Sequence, residues 1–289
     1  WYTAQFISPF FEIIPEDFGG KKSVDIVRGE KDYYEFIHSL YSDMYKKPES
    51  YFIPVDEYDN YMRGRVKSEL PHKNDSRECT LRNKFQKSIK FFQDFLFYIG
   101  NCGEIDPESS NLSITEKKFV EVIKRIKILK KIDDCFQRID ALRSIGFNYV
   151  KSNRRITFYN NTFPKMFIGL TMLSKSENKK YGYSGFLLCD YRGIIKDFEI
   201  SFNDTLFILN DKYKKIAVEI NEIMSRIDTK TKIKPLRNTQ LGSCWKIQYI
   251  KKGKSVSTFH ISIDKVDFFI NFNSTENISK MGYLLKKIN

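Results

Sequence analysis

Apolar residues recur at three- and four-residue steps through the first part of this chain and at two-residue steps through much of the last part. From Asp32 to Lys47, residues Tyr34, Ile37, Tyr41 and Met44 fall on one helix face, and Pro48 ends the run. Asp56 to Leu70 repeats the pattern through Tyr58, Met62 and Val66, stopping at Pro71. The longest predicted helix spans Arg77 to Ile99, with Leu81, Phe85, Ile89, Phe92 and Leu96 inward and Gly100 as its C-cap. Residues 2–28, punctuated by Pro9, Pro15, Gly19 and Gly20, read as an extended arm or strand.

A Pro-, Ser- and Asn-rich connection over 101–112 predicts a domain boundary. Beyond it, Ser113 and Glu116 form a capping box for a helix to about Lys131, and a second helix runs from Asp133 to Ile145, ended by Gly146. The period then changes from helical to alternating. Phe147–Val150 and Ile156–Tyr159 predict a hairpin about Ser152-Asn153-Arg154. Phe163–Leu173 returns to helix, Gly185–Cys189 reads as a buried strand, and Asp211 caps a helix reaching Ile227. Trp245–Ile250, Val256–Ile263 and Val266–Phe272 alternate as strands, and Glu276–Lys287 closes with a short helix.

The pattern predicts an α+β protein: a mainly helical N-terminal region over 1–110, then an α/β region with antiparallel sheet over 111–289. The helix–hairpin–helix order of 133–174 parallels that of 211–287, and Phe158–Met166 is similar to Phe272–Met281. Together these suggest two related small α/β units.

Charge changes this picture most. The formal net charge is +13, yet residues 1–60 hold six Lys and Arg against twelve Asp and Glu, a net −6 that leaves +19 for the rest. Over 229–254, Lys230, Lys232, Lys234, Arg237, Lys246, Lys251, Lys252 and Lys254 meet no carboxylate. Such a one-signed stretch attracts polyanions, and Trp245 and Tyr249, interleaved with it, are candidates to stack on bases. Two further basic clusters are Lys117, Lys118, Lys124, Arg125, Lys127, Lys130 and Lys131, and then Arg143, Lys151, Arg154, Arg155 and Lys165. The acidic segment is expected to dock on the basic body through Tyr34, Ile37 and Tyr41, masking it.

Composition adds bounds. With 289 residues, 41% hydrophobic and 15% aromatic, the chain can bury a sizeable core. Lys, Asn, Ile, Phe and Tyr are favoured together, the signature of an AT-rich genome, so codon bias is a second reading of the lysines. No run reaches the ~18 apolar residues of a membrane helix. Five widely spaced cysteines without a CxxC pair fit a reducing, cytoplasmic setting. The histidines His38, His72 and His260 lack a second ligand at metal spacing, so neither metal nor cofactor is expected.

One segment carries candidate chemistry. Gln240-Leu-Gly-Ser-Cys244-Trp245 is similar to the Cys-Gly-Ser-Cys-Trp signature of papain-like cysteine proteases, in which the second Cys is the nucleophile. Leu241 replaces the first Cys, a strand follows where that family needs a helix, and only His260 lies downstream, so a structural cysteine is favoured. The Trp245–Phe272 meander resembles small α/β domains in families of unknown function from AT-rich, low-GC bacteria, and that resemblance brings no functional residue with it.

The leading expectation is a non-enzymatic protein with a basic face for a polyanion such as nucleic acid. A cysteine-dependent enzyme using Cys244 and His260, in acyl or thiol transfer, is the alternative. A third reading is a module docking a protein partner through its Phe and Tyr excess.

Overall fold

The computed structural model of the chain describes residues 22–53, 76–126, 132–175, Cys189, 200–227, 229–238, 243–262 and 265–270. They belong to two compact units, the first drawn from residues up to 175 with Cys189, the second from residue 200 onward. The arrangement is α+β, with helices leading and antiparallel sheet following. Of the extended arm expected over 2–28, residues 2–21 lie outside the described residues and 24–28 are helical; the Asp56–Leu70 helix and the closing Glu276–Lys287 helix also lie outside, as does the Gly185–Cys189 strand apart from Cys189.

Helix α1 (Val24–Lys46) opens the first unit. The Ser23 hydroxyl accepts the Ile26 amide at 3.4 Å, and Asp25 and Lys46 suit the positive and negative ends of the helix dipole. The helix begins eight residues before the predicted Asp32 because its upstream inner face is not apolar. Gly29, Glu30 and Asp32 are buried there. Glu30 is paired with Lys22 at 2.9 Å, and Asp32 sits 2.6 Å from the Arg28 guanidinium while accepting the Lys165 amide at 2.9 Å. Hydrophobic periodicity is blind to such a face. Of the predicted inward residues Ile37, Tyr41 and Met44 are buried and Tyr34 is half-buried, while Tyr33, Phe36 and Leu40 complete the stripe.

Helix α2 (Ser76–Cys102) runs through Gly100 instead of ending there. Gly100 is needed for packing: a Cβ would lie 2.2 Å from Leu170 Cδ2 and 2.6 Å from Ser174 Oγ on helix α5 (Met166–Lys175). On the other helix, a Cβ at Gly29 would lie 2.6 Å from Ile168 Cβ. Both α1 and α2 therefore close on the apolar α5 at a glycine.

The connection over 101–112 joins elements within the first unit. It holds strand β1 (Glu104–Ile105), which pairs with β2 (Leu112–Thr115), and Leu112 and Ile114 alternate into the same core as Phe95. The division expected near residue 110 thus falls between two paired strands. Ser113 lies in β2, with its hydroxyl 2.9 Å from that of Thr157; Thr115 is the cap, accepting the Lys118 amide at 3.3 Å for helix α3 (Glu116–Arg125). Helix α4 (Ile132–Asp140) passes into a 3₁₀ turn ended by Gly146 at φ +83°. Strands β3 (Phe147–Ser152) and β4 (Arg155–Asn160) then form the predicted hairpin. Asn153 and Arg154 both take positive φ, 50° and 59°, as a two-residue primed turn requires. The sheet order is β1-β2-β4-β3, all antiparallel. Phe36, Phe95, Phe147 and Phe158 meet edge-on or tilted at 5.7–6.2 Å between helices and sheet.

In the second unit a 3₁₀ turn (Asn203–Ile208) leads to helix α6 (Asp211–Ser225). Asn210, one residue before the expected cap, accepts the Tyr213 amide at 3.1 Å. Strands β5 (Lys230–Asn238), β6 (Ser243–Lys251), β7 (Lys254–Ser262) and β8 (Lys265–Ile270) form a simple antiparallel meander. This differs from the first sheet's order, so the likeness between the two halves reduces to a helix followed by antiparallel strands. Trp245, Ile247, Tyr249, Phe259 and Ile261 are fully buried, and α6 contributes Ala217, Ile220 and Met224 to the unit's buried residues. The Tyr249 hydroxyl donates to Asn221 Oδ1 of α6 at 2.9 Å, tying helix to sheet.

Candidate polyanion-binding face

Strand alternation places every residue of the meander on one of two faces. One face is apolar: Trp245 stands opposite Ile261, Ile247 opposite Phe259, and Tyr249 opposite Ser257. The other face follows from the same register. Lys234, Lys246, His260 and Asp267 form one row across the four strands, and Lys232, Gln248, Thr258 and Phe269 form the next. Lys230, opposite Ile250, extends the lysines along the β5 edge. With about 6.7 Å between alternate residues of a strand, Lys230, Lys232 and Lys234 are spaced like successive phosphates of a nucleic-acid strand.

Strand β5 was not predicted. Its Lys-Thr-Lys-Ile-Lys-Pro run alternates strictly, but between the lysines stand only Thr231, which is exposed, and Ile233, which is half-buried, too weak a signal beside three lysines. The structure therefore gathers Lys230, Lys232, Lys234 and Lys246 on one surface, which the linear charge run does not reveal.

Trp245 and Tyr249 are a correction. Both are fully buried on the opposite face, so neither is available to stack on a base. The exposed aromatic is Phe269, half-exposed at 50% and 5.0 Å from the His260 ring. The outward parity of Lys265, Asp267 and Phe269 in β8 is the sequence signal that marks it.

The remaining predicted lysines divide by role. Lys251 donates to the Ile227 carbonyl at 3.1 Å, just beyond the C-terminus of α6, where a cation is favourable. Lys252 and Lys254 are exposed at the β6–β7 turn, where Lys252 (φ 48°) and Gly253 (φ 76°) make a second primed hairpin turn. The side chain of Arg237 lies outside the described residues.

The first unit's basic clusters are largely occupied internally. Arg155 and Lys118 both pair with Glu104, at 2.8 and 3.4 Å, and hold its carboxyl below the usual range. Arg143 pairs with Asp140 at 2.9 Å, Lys151 lies 3.4 Å from the centre of the Phe136 ring, and Lys165 reaches Asp25 at 3.2 Å and Ser110 at 3.0 Å. Lys117, Lys124 and Arg154 stay exposed, with Arg125 over the Tyr98 ring at 5.7 Å. Lys127, Lys130 and Lys131 lie outside the described residues. By contrast, among the described residues Lys230, Lys232 and Lys246 have no carboxylate within ion-pair distance.

Cys244 and His260 are not brought together as cross-strand partners. Ser243 pairs with Ser262 and Trp245 with Ile261, so Cys244 is the extra residue of a β-bulge, while His260 stands opposite Lys246. The Cys244 side chain lies outside the described residues. Burial, with the Lys246 charge beside it, pushes the His260 imidazole below its ordinary range, and Asp267 opposes this only partly. A depressed histidine costs stability on acidification: the unfolded chain takes up its proton first, so stability present above pH ~6.5 is lost as pH falls toward the folded value. We expect the second unit's thermal midpoint, followed by Trp245 fluorescence in a Trp1→Phe background, to fall between pH 7 and 5. His260→Gln should flatten that slope; an unchanged slope would remove His260 as its cause.

Elsewhere, burial pushes the Cys135 thiol up to about 12, which leaves it protonated and unsuited to nucleophilic work. Among the described residues no group of three or more His, Cys, Asp or Glu is placed to hold a metal ion, and no helix is long and apolar enough to cross a membrane. No family model, no curated protein and no solved structure matches this chain.

Proposed function

We propose that this chain is a non-enzymatic, cytoplasmic binding protein whose second unit offers a basic sheet face to a polyanion such as nucleic acid. The register carries this reading: Lys230, Lys232, Lys234 and Lys246 stand side by side on the face turned away from the core. Codon bias explains why lysines are plentiful; it does not explain why those of β5 alternate to one side. Among the described residues Lys230, Lys232 and Lys246 have no carboxylate within ion-pair distance and keep their field for a ligand, whereas the lysines paired in the first unit have part of theirs cancelled. The enzymatic alternative has less support, because Cys244 is the extra residue of a bulge and His260 stands opposite Lys246, so the two are not cross-strand partners.

The test is a salt series. Duplex DNA, single-stranded DNA and inorganic polyphosphate are titrated with the full chain from low to moderate salt. The reading expects affinity that falls steeply and linearly in log–log form as counterion release weakens. Absence of binding at low salt, or affinity indifferent to salt, overturns it.

A further inference from the structure

The outer face is not uniformly basic. Lys230, Lys232, Lys234 and Lys246 lie on β5 and β6, at one side of the sheet; on β8, at the other, lie Phe269 and the ion pair of Asp267 with Lys265. Adjacent strands are about 4.8 Å apart, so β6 and β8 are separated by about 10 Å. Between them stands His260, whose ring meets that of Phe269 at 5.0 Å and 60°. Asp267 is paired with Lys265 at 3.0 Å, so the β8 side carries little net charge.

Resting on the polyanion reading, we propose that this face takes a single strand of nucleic acid, with its phosphates over Lys232, Lys234 and Lys246 and a base stacked on Phe269.

Three observations point to that occupant over another polyanion. First, the asymmetry orients a ligand that is itself two-sided. A uniformly charged chain gains nothing from an exposed phenyl ring, whereas a nucleotide has an anionic and an aromatic side. Second, the Asp267–Lys265 pair adds no net charge on the β8 side, so the cations of β5 and β6 hold the backbone on their side and the bases are turned toward Phe269. Third, Phe269 can meet a base only where that base has a free face. Within a duplex the faces are stacked on neighbouring pairs, and the ring of a side chain on a sheet cannot enter without disrupting them. The neighbouring His260 fixes the Phe269 ring from one side and leaves its exposed half to the ligand.

The experiment compares short oligothymidylate and oligouridylate, the matching duplex DNA and inorganic polyphosphate, each against the full chain and against Phe269→Ala, Phe269→Leu and Phe269→Trp. Phe269→Ala should weaken single-strand binding by about five-fold to one hundred-fold, the range found for one base–aromatic stack. Phe269→Leu keeps the apolar bulk of the strand and should weaken it similarly, whereas Phe269→Trp should restore it. Polyphosphate affinity and the salt dependence should stay as in the parent. The stacking inference is overturned if the Leu variant binds single strands like the parent, or if it weakens all ligands alike. If the full chain binds none of them at low salt, the polyanion reading itself fails, and the inference falls with it. The unchanged polyphosphate arm separates these two failures.

Discussion

Deleting residues 1–60 is expected to abolish the cooperative folding of the first unit. That segment contains α1, and α1 buries Tyr33, Phe36, Ile37, Leu40, Tyr41 and Met44 at or near full burial. Six side chains at about 1.5–3 kcal/mol each represent on the order of 9–18 kcal/mol of transfer free energy, comparable with or above the net stability of a whole domain. Its loss also uncovers Ile168 of α5 opposite Gly29 and leaves the Lys165 amide without its acceptor on Asp32. The charge pattern alone suggests a detachable acidic cover over a basic body. The packing shows that this cover's helix is part of the first unit's core. The truncated chain retains Trp245 as its one tryptophan, so fluorescence reports the second unit while far-UV circular dichroism reports lost helix. A truncated chain that keeps the parent's helical signal and its first-unit melting transition would contradict this, and tighter nucleic-acid binding by such a chain would restore the masking idea.

Removing the lysine row should have the largest effect on binding. Lys232→Ala, Lys234→Ala and Lys246→Ala together delete three neighbouring cations from one face. On a single strand, three phosphate contacts carry a slope of about −2.1 in log affinity against log salt, which near ~0.1 M salt amounts to about two orders of magnitude in affinity. Stability should change little, because these side chains point away from the core face defined by Trp245, Ile247 and Tyr249. Parent-like affinity in the triple variant would show that the row is ordinary solvated surface.

The fold was legible where burial and periodicity coincide. The Phe147–Asn160 hairpin, the α2 stripe through Phe92 and Leu96, and the outward lysine tip at Lys252 follow from alternation and turn chemistry. It was illegible where buried positions are polar or glycine. The first turns of α1 pack through Gly29, Glu30 and Asp32, and Gly100 looks like a helix terminator although its role is close approach to α5. Short strands were missed for a related reason: β2 offers only Leu112 and Ile114, and Ser113 with Glu116 mimics a cap two residues early. At the candidate site the charge run picked out lysines that share one sheet face, together with aromatics that lie on the other. Trp245 and Tyr249 lie between lysines in sequence, yet a period of two sends them to the opposite face, while Phe269 reaches the lysine face from two strands away. Cross-strand register is a long-range property, and only the fold supplies it.

The most direct measurement sets two lysine sets against each other in the same chain. One variant carries Lys232→Ala, Lys234→Ala and Lys246→Ala in the second unit; the other carries Lys117→Ala, Lys124→Ala and Arg125→Ala on α3 of the first. Both lose three positive charges, so net charge and any general attraction to polyanions change equally. The salt dependence of single-stranded DNA binding is then measured for each. The sheet variant should lose about 2.1 from the slope, while the α3 variant keeps the parent's slope. Equal losses from both, or a loss confined to the α3 variant, would contradict a binding face on the second sheet.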